Sequence, residues 1–185
     1  SGLSTFSVYA KSGNSTWVVL LAVGATAIYF NLTGNGSAGI GSTINSIERI
    51  GSDGWYRCSI TTSASITQFR IYPADGDQVT SDTSSVYIQD AQLNQSLVAY
   101  PYIETTAAPE KGGILADLPR IDYSSGRASL LLEPQRTNVL GQSELLSSDI
   151  YSFSRISVNN NSILSPENKL NASKLIVPSV SGITR

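Results

Sequence analysis

The sequence predicts an all-β fold, an antiparallel sandwich of two sheets of the jelly-roll type. Three observations predict it. Apolar and polar residues alternate over short segments, clusters of Gly, Asn, Ser and Asp separate those segments, and few stretches show helical periodicity. About seven or eight such segments fall in the first hundred residues, as expected for two stacked sheets.

Four segments alternate in the way expected of strands with one buried face. The residues predicted to face the core are Phe6, Val8 and Ala10 in Thr5 to Ala10, Tyr56, Cys58 and Ile60 in Trp55 to Thr62, Phe69 and Ile71 in Gln68 to Tyr72, and Val86 and Ile88 in Ser85 to Leu93. The alternate positions of the same strands then face outward.

Three further segments are predicted strands without this clean alternation. Thr16 to Val23 is apolar on both faces, which predicts a central strand with Trp17 largely in the core. Thr26 to Leu32 follows and ends in a strong turn signal. Thr43 to Ile50 fits a strand or a short helix by periodicity, but its Ser, Thr and Asn residues favour the strand.

The composition changes after residue 104. Thr105 to Glu110 is rich in small residues and proline, which predicts a linker and a domain boundary. The segments Pro119 to Tyr123, Ala128 to Glu133 and Gln135 to Leu140 suggest an extended connector with one or two paired strands. Leu146 to Asn161 is polar and rich in Ser and Asn, and Lys169 to Val177 is a further predicted strand.

Charge and composition exclude several classes of function. Only 14% of the residues are charged and the net charge is −2, so nucleic acid is not an expected partner. The longest apolar run, Trp17 to Val23, is too short for a membrane-spanning helix, so no membrane partner is expected. The single cysteine, Cys58, fits assembly in a reducing cytoplasm and is expected to be buried and inert. The chain has no methionine, so we expect a fragment or a processed product.

Five runs of residues resemble a known family. They are Thr5 to Lys11, Tyr29 to Leu32, Gly54 to Thr61, Arg70 to Asp75 and Val86 to Leu93. Together they resemble the concanavalin-A-like or carbohydrate-binding-module-like domains of bacteriophage tail-fibre, head-fibre and other virion surface proteins. Ile121 to Gly126 and Leu130 to Asn138 resemble the connector that joins such domains in tandem. The resemblance implies a structural protein on the virion surface that attaches to host glycans, assembles in the bacterial host cytoplasm and forms a homo-oligomer, a trimer, with other virion proteins as partners.

The resemblance also implies how the chain is divided. Residues 1–104 resemble a β-sandwich module that lacks its first strands, residues 105–140 a linker with connector strands, and residues 141–185 the opening strands of a second, incomplete module. A sandwich without its first strands would expose sheet edges and core. We therefore expect residues 141–185 to pack on a neighbouring subunit, to pack on a neighbouring module, or to fold back and complete the first module.

Strand parity yields a set of candidate carbohydrate-binding residues. Flat aromatic side chains can stack on sugars while planar polar groups bind the hydroxyls. The outward-facing residues of this kind are Tyr9, Trp55, Arg57, Arg70, Tyr72, Tyr87 and Gln89. They form one polar aromatic face if their strands are neighbours in one sheet. The alternative is that the same residues pack under a loop, a partner subunit or the connector, because interfaces favour the same residue types.

Metal, cofactor and catalytic sites have little basis in the sequence. Without histidine, neither a Ser/His/Asp nor a Cys/His arrangement can form. Asp75, Asp77 and Asp82 do not match a complete calcium loop, and a plain acidic turn is favoured. No spacing selects a carboxylate pair among Glu48, Asp53, Asp90 and Glu104. We expect no cofactor, no metal and no enzymatic activity. The competing classes are a binding module of a bacterial secreted or surface glycan-processing protein and a glycan depolymerase.

Overall fold

The computed structural model describes residues 2–64, 66–81, 83–112, 120–122, 129–131, 136–141, 143, 152 and 156–177. These residues form β-strands and loops without a helix, and no helix among them could therefore span a membrane. The strands, in chain order, are β1 (Ser4–Ser12), β2 (Trp17–Ala22), β3 (Ile28–Asn31), β4 (Ser37–Ala38), β5 (Ile44–Ile50), β6 (Trp55–Thr62), β7 (Phe69–Gly76), β8 (Val79–Thr80), β9 (Ser85–Asn94), β10 (Glu110–Gly112), β11 (Arg120–Asp122), β12 (Ser129–Leu131), β13 (Arg136–Asn138), β14 (Ser157–Leu164) and β15 (Leu170–Ile176).

Two antiparallel sheets form the sandwich, which confirms the predicted fold class. The six-stranded sheet has the order β14-β15-β9-β1-β6-β5, and the five-stranded sheet has the order β4-β3-β2-β7-β8. Two short antiparallel pairs, β10 with β13 and β11 with β12, lie in the predicted connector. The jelly-roll type of the connections remains a prediction.

The main core lies between the two sheets. The core-facing residues predicted from strand parity lie in it or pack against it, in β1, β6, β7 and β9. Residues of β2 and β3 complete it from the five-stranded sheet, among them Val18, Leu20 and Phe30. The predicted segment Thr16 to Val23 is indeed a central strand, β2, and Thr43 to Ile50 is a strand rather than a helix. Cys58 is free and buried in this core, and burial raises the pKa of its thiol, so the thiol stays protonated and unreactive in the folded state.

The last two strands extend the six-stranded sheet. β15 pairs antiparallel with β9 from Ser85 to Ile88, and its Leu175 is buried in the main core. Of the three arrangements expected for residues 141–185, the described part shows folding back onto the first sandwich. The division of the sequence into residues 1–104, 105–140 and 141–185 remains a prediction.

A buried asparagine of the connector, Asn138, joins the connector to the end of β9 by hydrogen bonds. The Asn138 side chain accepts hydrogen bonds from the backbone N–H groups of Leu93 (3.1 Å) and Leu140 (3.2 Å) and donates one to the Ile103 carbonyl (2.9 Å). The Val139 N–H donates to the Leu93 carbonyl at 3.0 Å. Because Asn138 is fully buried, water cannot replace these bonds.

Replacing this side chain tests how strongly the connector is held. Asn138→Ala leaves the partly buried Leu93 N–H and Ile103 carbonyl without their partner, so we expect the free energy of unfolding to fall by about 1–2 kcal/mol in urea denaturation. Asn35→Ala removes an exposed asparagine from a turn and should cost less than about 0.5 kcal/mol. Equal stability of the two variants would show that the connector contributes little.

Candidate functional site

The structure divides the seven predicted carbohydrate-binding residues between the two outer faces of the sandwich. Five of them lie on the six-stranded sheet, namely Tyr9, Trp55, Arg57, Tyr87 and Gln89. The other two, Arg70 and Tyr72, lie on β7 of the five-stranded sheet. The condition under which all seven would form one face, neighbouring strands in one sheet, is therefore not met.

The five residues of the six-stranded sheet stand in two adjacent rows across its outer face. Tyr9 lies opposite Arg57 on one side and Gln89 on the other. Lys11, the next outward residue of β1, lies opposite Trp55 and Tyr87. The register thus brings these five side chains together on one face.

The chain itself covers much of this face at one end. Trp55 is only 1% exposed, and its indole N–H donates to the Leu164 carbonyl at 3.2 Å. Leu164 is followed by the turn between β14 and β15, which the Ser165 N–H closes on the Lys169 carbonyl at 2.7 Å. The hairpin of β14 and β15 therefore bends over the outer face and reaches β6.

A second segment covers the other end. Gln92, fully buried on the outer side of β9, donates to the carbonyls of Tyr100 (3.1 Å) and Pro101 (3.3 Å) and accepts from the Ile103 N–H (2.7 Å). The Arg57 guanidinium also donates to the Tyr100 carbonyl. The chain after β9 thus turns back across its own sheet.

Between the β14–β15 hairpin and the segment that follows β9, cationic side chains lie over the aromatic rings of this face. The Arg57 guanidinium carbon lies 5.5 Å from the centre of the Tyr9 ring, and the Lys174 ammonium 5.4 Å from that of Tyr87. Lys11 stands 6.0 Å from the Trp55 ring. These cation–π contacts occupy ring surfaces that a sugar would need. On this face the contacts favour packing under a loop, the alternative stated with the prediction, over sugar stacking.

The environment of Tyr9 agrees with this interpretation. Burial is the main cause that raises the pKa of the Tyr9 phenol; Arg57 lowers it, and the nearby Asp90, Glu48 and Glu167 raise it further. Asp90 occupies a β-bulge of β9 opposite β1 with a φ of 55°, and its carboxylate accepts a hydrogen bond from the Gln89 amide at 2.7 Å.

The outer face of the five-stranded sheet carries a second group of aromatic residues. We call Trp17, Val19, Tyr29, Tyr72 and Ala74 the outer aromatic patch. Register explains the grouping, because Val19 lies between Tyr29 and Tyr72 while Trp17 lies opposite Ala74. The small residues Val19 and Ala74 are buried within the patch, and Trp17 and Tyr72 beside them remain partly exposed.

The prediction that Trp17 belongs largely to the core is wrong. Within β2, Val18, Leu20 and Ala22 point into the main core, so Trp17 and Val19 point to the opposite side of the sheet. Trp55, which was predicted to be accessible to a ligand, is the buried tryptophan. Of the seven predicted residues, Arg70 and Tyr72 belong to the better exposed surface, and sequence reasoning missed Trp17 and Tyr29. The signal for Trp17 was that its strand, β2, is apolar on both faces. Tyr29 lies on β3 and is placed beside Trp17's strand by its pairing with Val19.

The outer aromatic patch has the chemistry of a carbohydrate platform. Arg70 is exposed beside Tyr72, and its Nε–H donates to the Gln68 side-chain carbonyl at 3.0 Å, which holds a guanidinium and an amide at the border of the patch. Burial is the main cause that raises the pKa of the Tyr72 phenol, the neighbouring Tyr29 adds to the rise, and Arg70 opposes it. Aromatic surfaces bordered by planar polar groups are suited to neutral sugars.

The acidic residues considered for metal binding take part in local contacts. Asp75 accepts a hydrogen bond from the Ser84 hydroxyl, and Asp77 accepts one from the Ile40 N–H at 3.1 Å. Asp82 lies outside the described residues. Across the described ranges, no three acidic or cysteine side chains gather into a cluster that could hold a metal ion.

Comparison with known proteins gives no assignment. No family model matches the chain, and no curated protein matches it significantly. The resemblance to virion surface domains therefore has no independent support from these comparisons.

The raised pKa of Tyr72 predicts how stability changes at alkaline pH. The folded state holds the phenolic proton more tightly than the unfolded state, whose tyrosines titrate near pH 10. The associated stability is present below about pH 10 and is lost as the pH rises through the raised pKa. Urea midpoints of Tyr72→Phe should therefore fall less steeply than those of the wild type above about pH 10. Parallel slopes would contradict this.

Proposed function

We propose that the chain is a structural element of a bacteriophage surface protein, a fibre or a capsid or tail component, and that it attaches to host-surface glycans. Two features support the proposal. The sequence resembles domains of such virion proteins from Thr5 to Asn138, and the described residues form the two-sheet sandwich that such domains require. In this proposal the protein binds without catalysis, and release of reducing ends from host capsule by the intact protein would contradict it.

The outer aromatic patch is the observation that carries the binding part of the proposal. Trp17 and Tyr72 keep part of their ring surface exposed, next to the exposed guanidinium of Arg70. An aromatic group on the outside of a sheet has no role in the core between the sheets, and such exposed groups commonly mark interaction surfaces. The opposite face is crossed by the chain itself, which leaves the five-stranded sheet as the better platform.

Glycan-array binding with matched substitutions tests this site. Arg70→Ala changes an exposed side chain, and Tyr72→Ala removes an aromatic ring from the patch, so each should weaken binding by roughly tenfold or more. Trp17→Ala should act in the same direction, with thermal unfolding measured alongside because Trp17 also packs against the buried residues of the patch. Tyr87→Ala removes a ring from the other sheet and should leave binding unchanged.

The set of variants that lose glycan binding shows whether the glycan binds at the outer aromatic patch. Loss with Tyr87→Ala but not with Arg70→Ala or Tyr72→Ala would place the glycan on the six-stranded sheet and contradict the patch. Absence of binding to any host glycan by the folded wild-type protein would contradict attachment altogether.

The virion assignment has a separate test. Mass spectrometry of purified phage particles should detect the chain, and its full-length gene should lie beside capsid and tail genes. A gene beside glycan-processing enzymes with a secretion signal would instead favour the alternative, a binding module of a bacterial secreted or surface protein. The buried free Cys58 supports assembly in the reducing host cytoplasm, and the trimer implied by the resemblance remains part of the proposal.

A further inference from the structure

The edge of the six-stranded sheet at β5 differs from the other sheet edges. β4 and β8, at the edges of the five-stranded sheet, have two residues each, and β14 carries shifts in its register with β15. Short or irregular edge strands are the usual protection against pairing with another chain. β5 has seven residues and pairs with β6 without a shift from Ile44 to Ile50. Among the described residues, β5 is thus the long regular edge, and none of them pairs with its outer side.

The sequence of β5 is symmetric in its apolar residues. Ile44, Ile47 and Ile50 are equally spaced, with Ile47 at the centre. If two copies of β5 run antiparallel with Ile47 opposite Ile47, then Ile44 faces Ile50 of the other copy. In the same register Asn45 faces Arg49, and Ser46 faces Glu48. Apolar residues therefore meet apolar residues and no like charges are opposed, which is the pairing that stabilises an antiparallel sheet.

Neighbouring registers are less favourable. A shift that centres the pair on Glu48 places the two Glu48 carboxylates opposite each other, and a shift that centres it on Ser46 places Ile44 opposite Glu48. Like charges directly opposite destabilise a strand pair. The side chains of β5 thus specify one two-fold register.

We propose that β5 pairs with β5 of a second copy of this chain, antiparallel and centred on Ile47, so that the two six-stranded sheets become one continuous sheet. The occupant of the edge is a second copy because β5 is complementary to itself. A two-fold contact joins chains in pairs and is a different contact from the three-fold one that the resemblance implies. It also does not depend on the proposed glycan binding, whose residues lie on the other sheet.

An apolar surface next to β5 supports this pairing. Ile44, Leu97 and Val98 are 58%, 56% and 56% exposed, and together they line a groove of about 220 Å³ that also contains Glu48 and Arg57. In the proposed register, Ile50 of the second copy arrives opposite Ile44, at the border of this groove. Pairing therefore covers apolar surface that a single copy leaves in water.

Cysteine cross-linking between two variants tests the register directly. Ser46 and Glu48 are exposed, so Ser46→Cys and Glu48→Cys should both fold, and Cys58 is buried and should not react. The proposed register places position 46 of one copy opposite position 48 of the other, within the separation that a disulfide spans. Under a mild oxidant, a mixture of the two variants should form a covalent dimer that contains one of each.

Controls make the result specific. Each variant alone should cross-link far less than the mixture, because equal positions are not opposed. Thr80→Cys, exposed on the short edge strand β8, controls for random collisions. Cross-linking of the mixture no faster than that of Thr80→Cys would overturn the proposal, and so would preferential cross-linking of one variant with itself.

The solution mass gives a second readout. Light scattering of the wild type should show a dimer, or a hexamer where the three-fold contact of the proposed trimer also forms. Ile44→Glu should halve that mass at concentrations up to roughly tenfold above those at which the wild type pairs, because it places a carboxylate opposite Ile50. Ile44 is exposed, so this variant should keep the unfolding temperature of the wild type. A monomer at all concentrations, or a trimer that Ile44→Glu leaves intact, would overturn β5 pairing without affecting the proposed glycan site.

Discussion

The edge of β9 away from β1 is the constraint on which the arrangement of the later residues depends. β9 is buried on both faces, so an unpaired backbone along that edge would lose its hydrogen bonds inside the protein. β15 pairs with the first half of β9, and Asn138 and Val139 bond to Leu93 in the second half. The bulge at Asp90 lies between the two. Asn138 and Val139 of the connector and strand β15 of the final hairpin therefore lie along one sheet edge.

The strands that sequence reasoning located well are those whose alternation is set by burial on one face, such as β1, β6 and β9. It did not find β4, β8 or β14. The first two have two residues each, too few for a period of two to show. β14 contains three consecutive asparagines, which have low strand propensity, and one of them, Asn161, has a φ of 52°. Its pairing with β15 makes it a strand, and that cause is tertiary rather than local.

The candidate site shows the same limit at the level of side chains. Parity correctly separated inward from outward residues in β6, but it could not show that the outward Trp55 would be covered by the Leu164 carbonyl, 109 residues later in the chain. Parity also assigned β2 no outer face, because both of its faces are apolar. An apolar residue on an outer face can be covered by another part of the chain, or it can belong to a binding surface. Only the folded structure shows that Trp55 is covered and that Trp17 remains partly exposed.

The two proposed surfaces belong to different sheets, and this separation has a geometric consequence. Pairing of β5 with β5 about a two-fold axis perpendicular to the sheet keeps corresponding faces on the same side of the assembly. The outer aromatic patches of both copies would then point in one direction, away from the joined six-stranded sheets. Two weak sugar sites that face the same way can bind a repetitive polysaccharide together, and the second contact forms at a high effective concentration. An attachment protein with shallow aromatic sites gains avidity from such an arrangement without a deeper pocket in either copy.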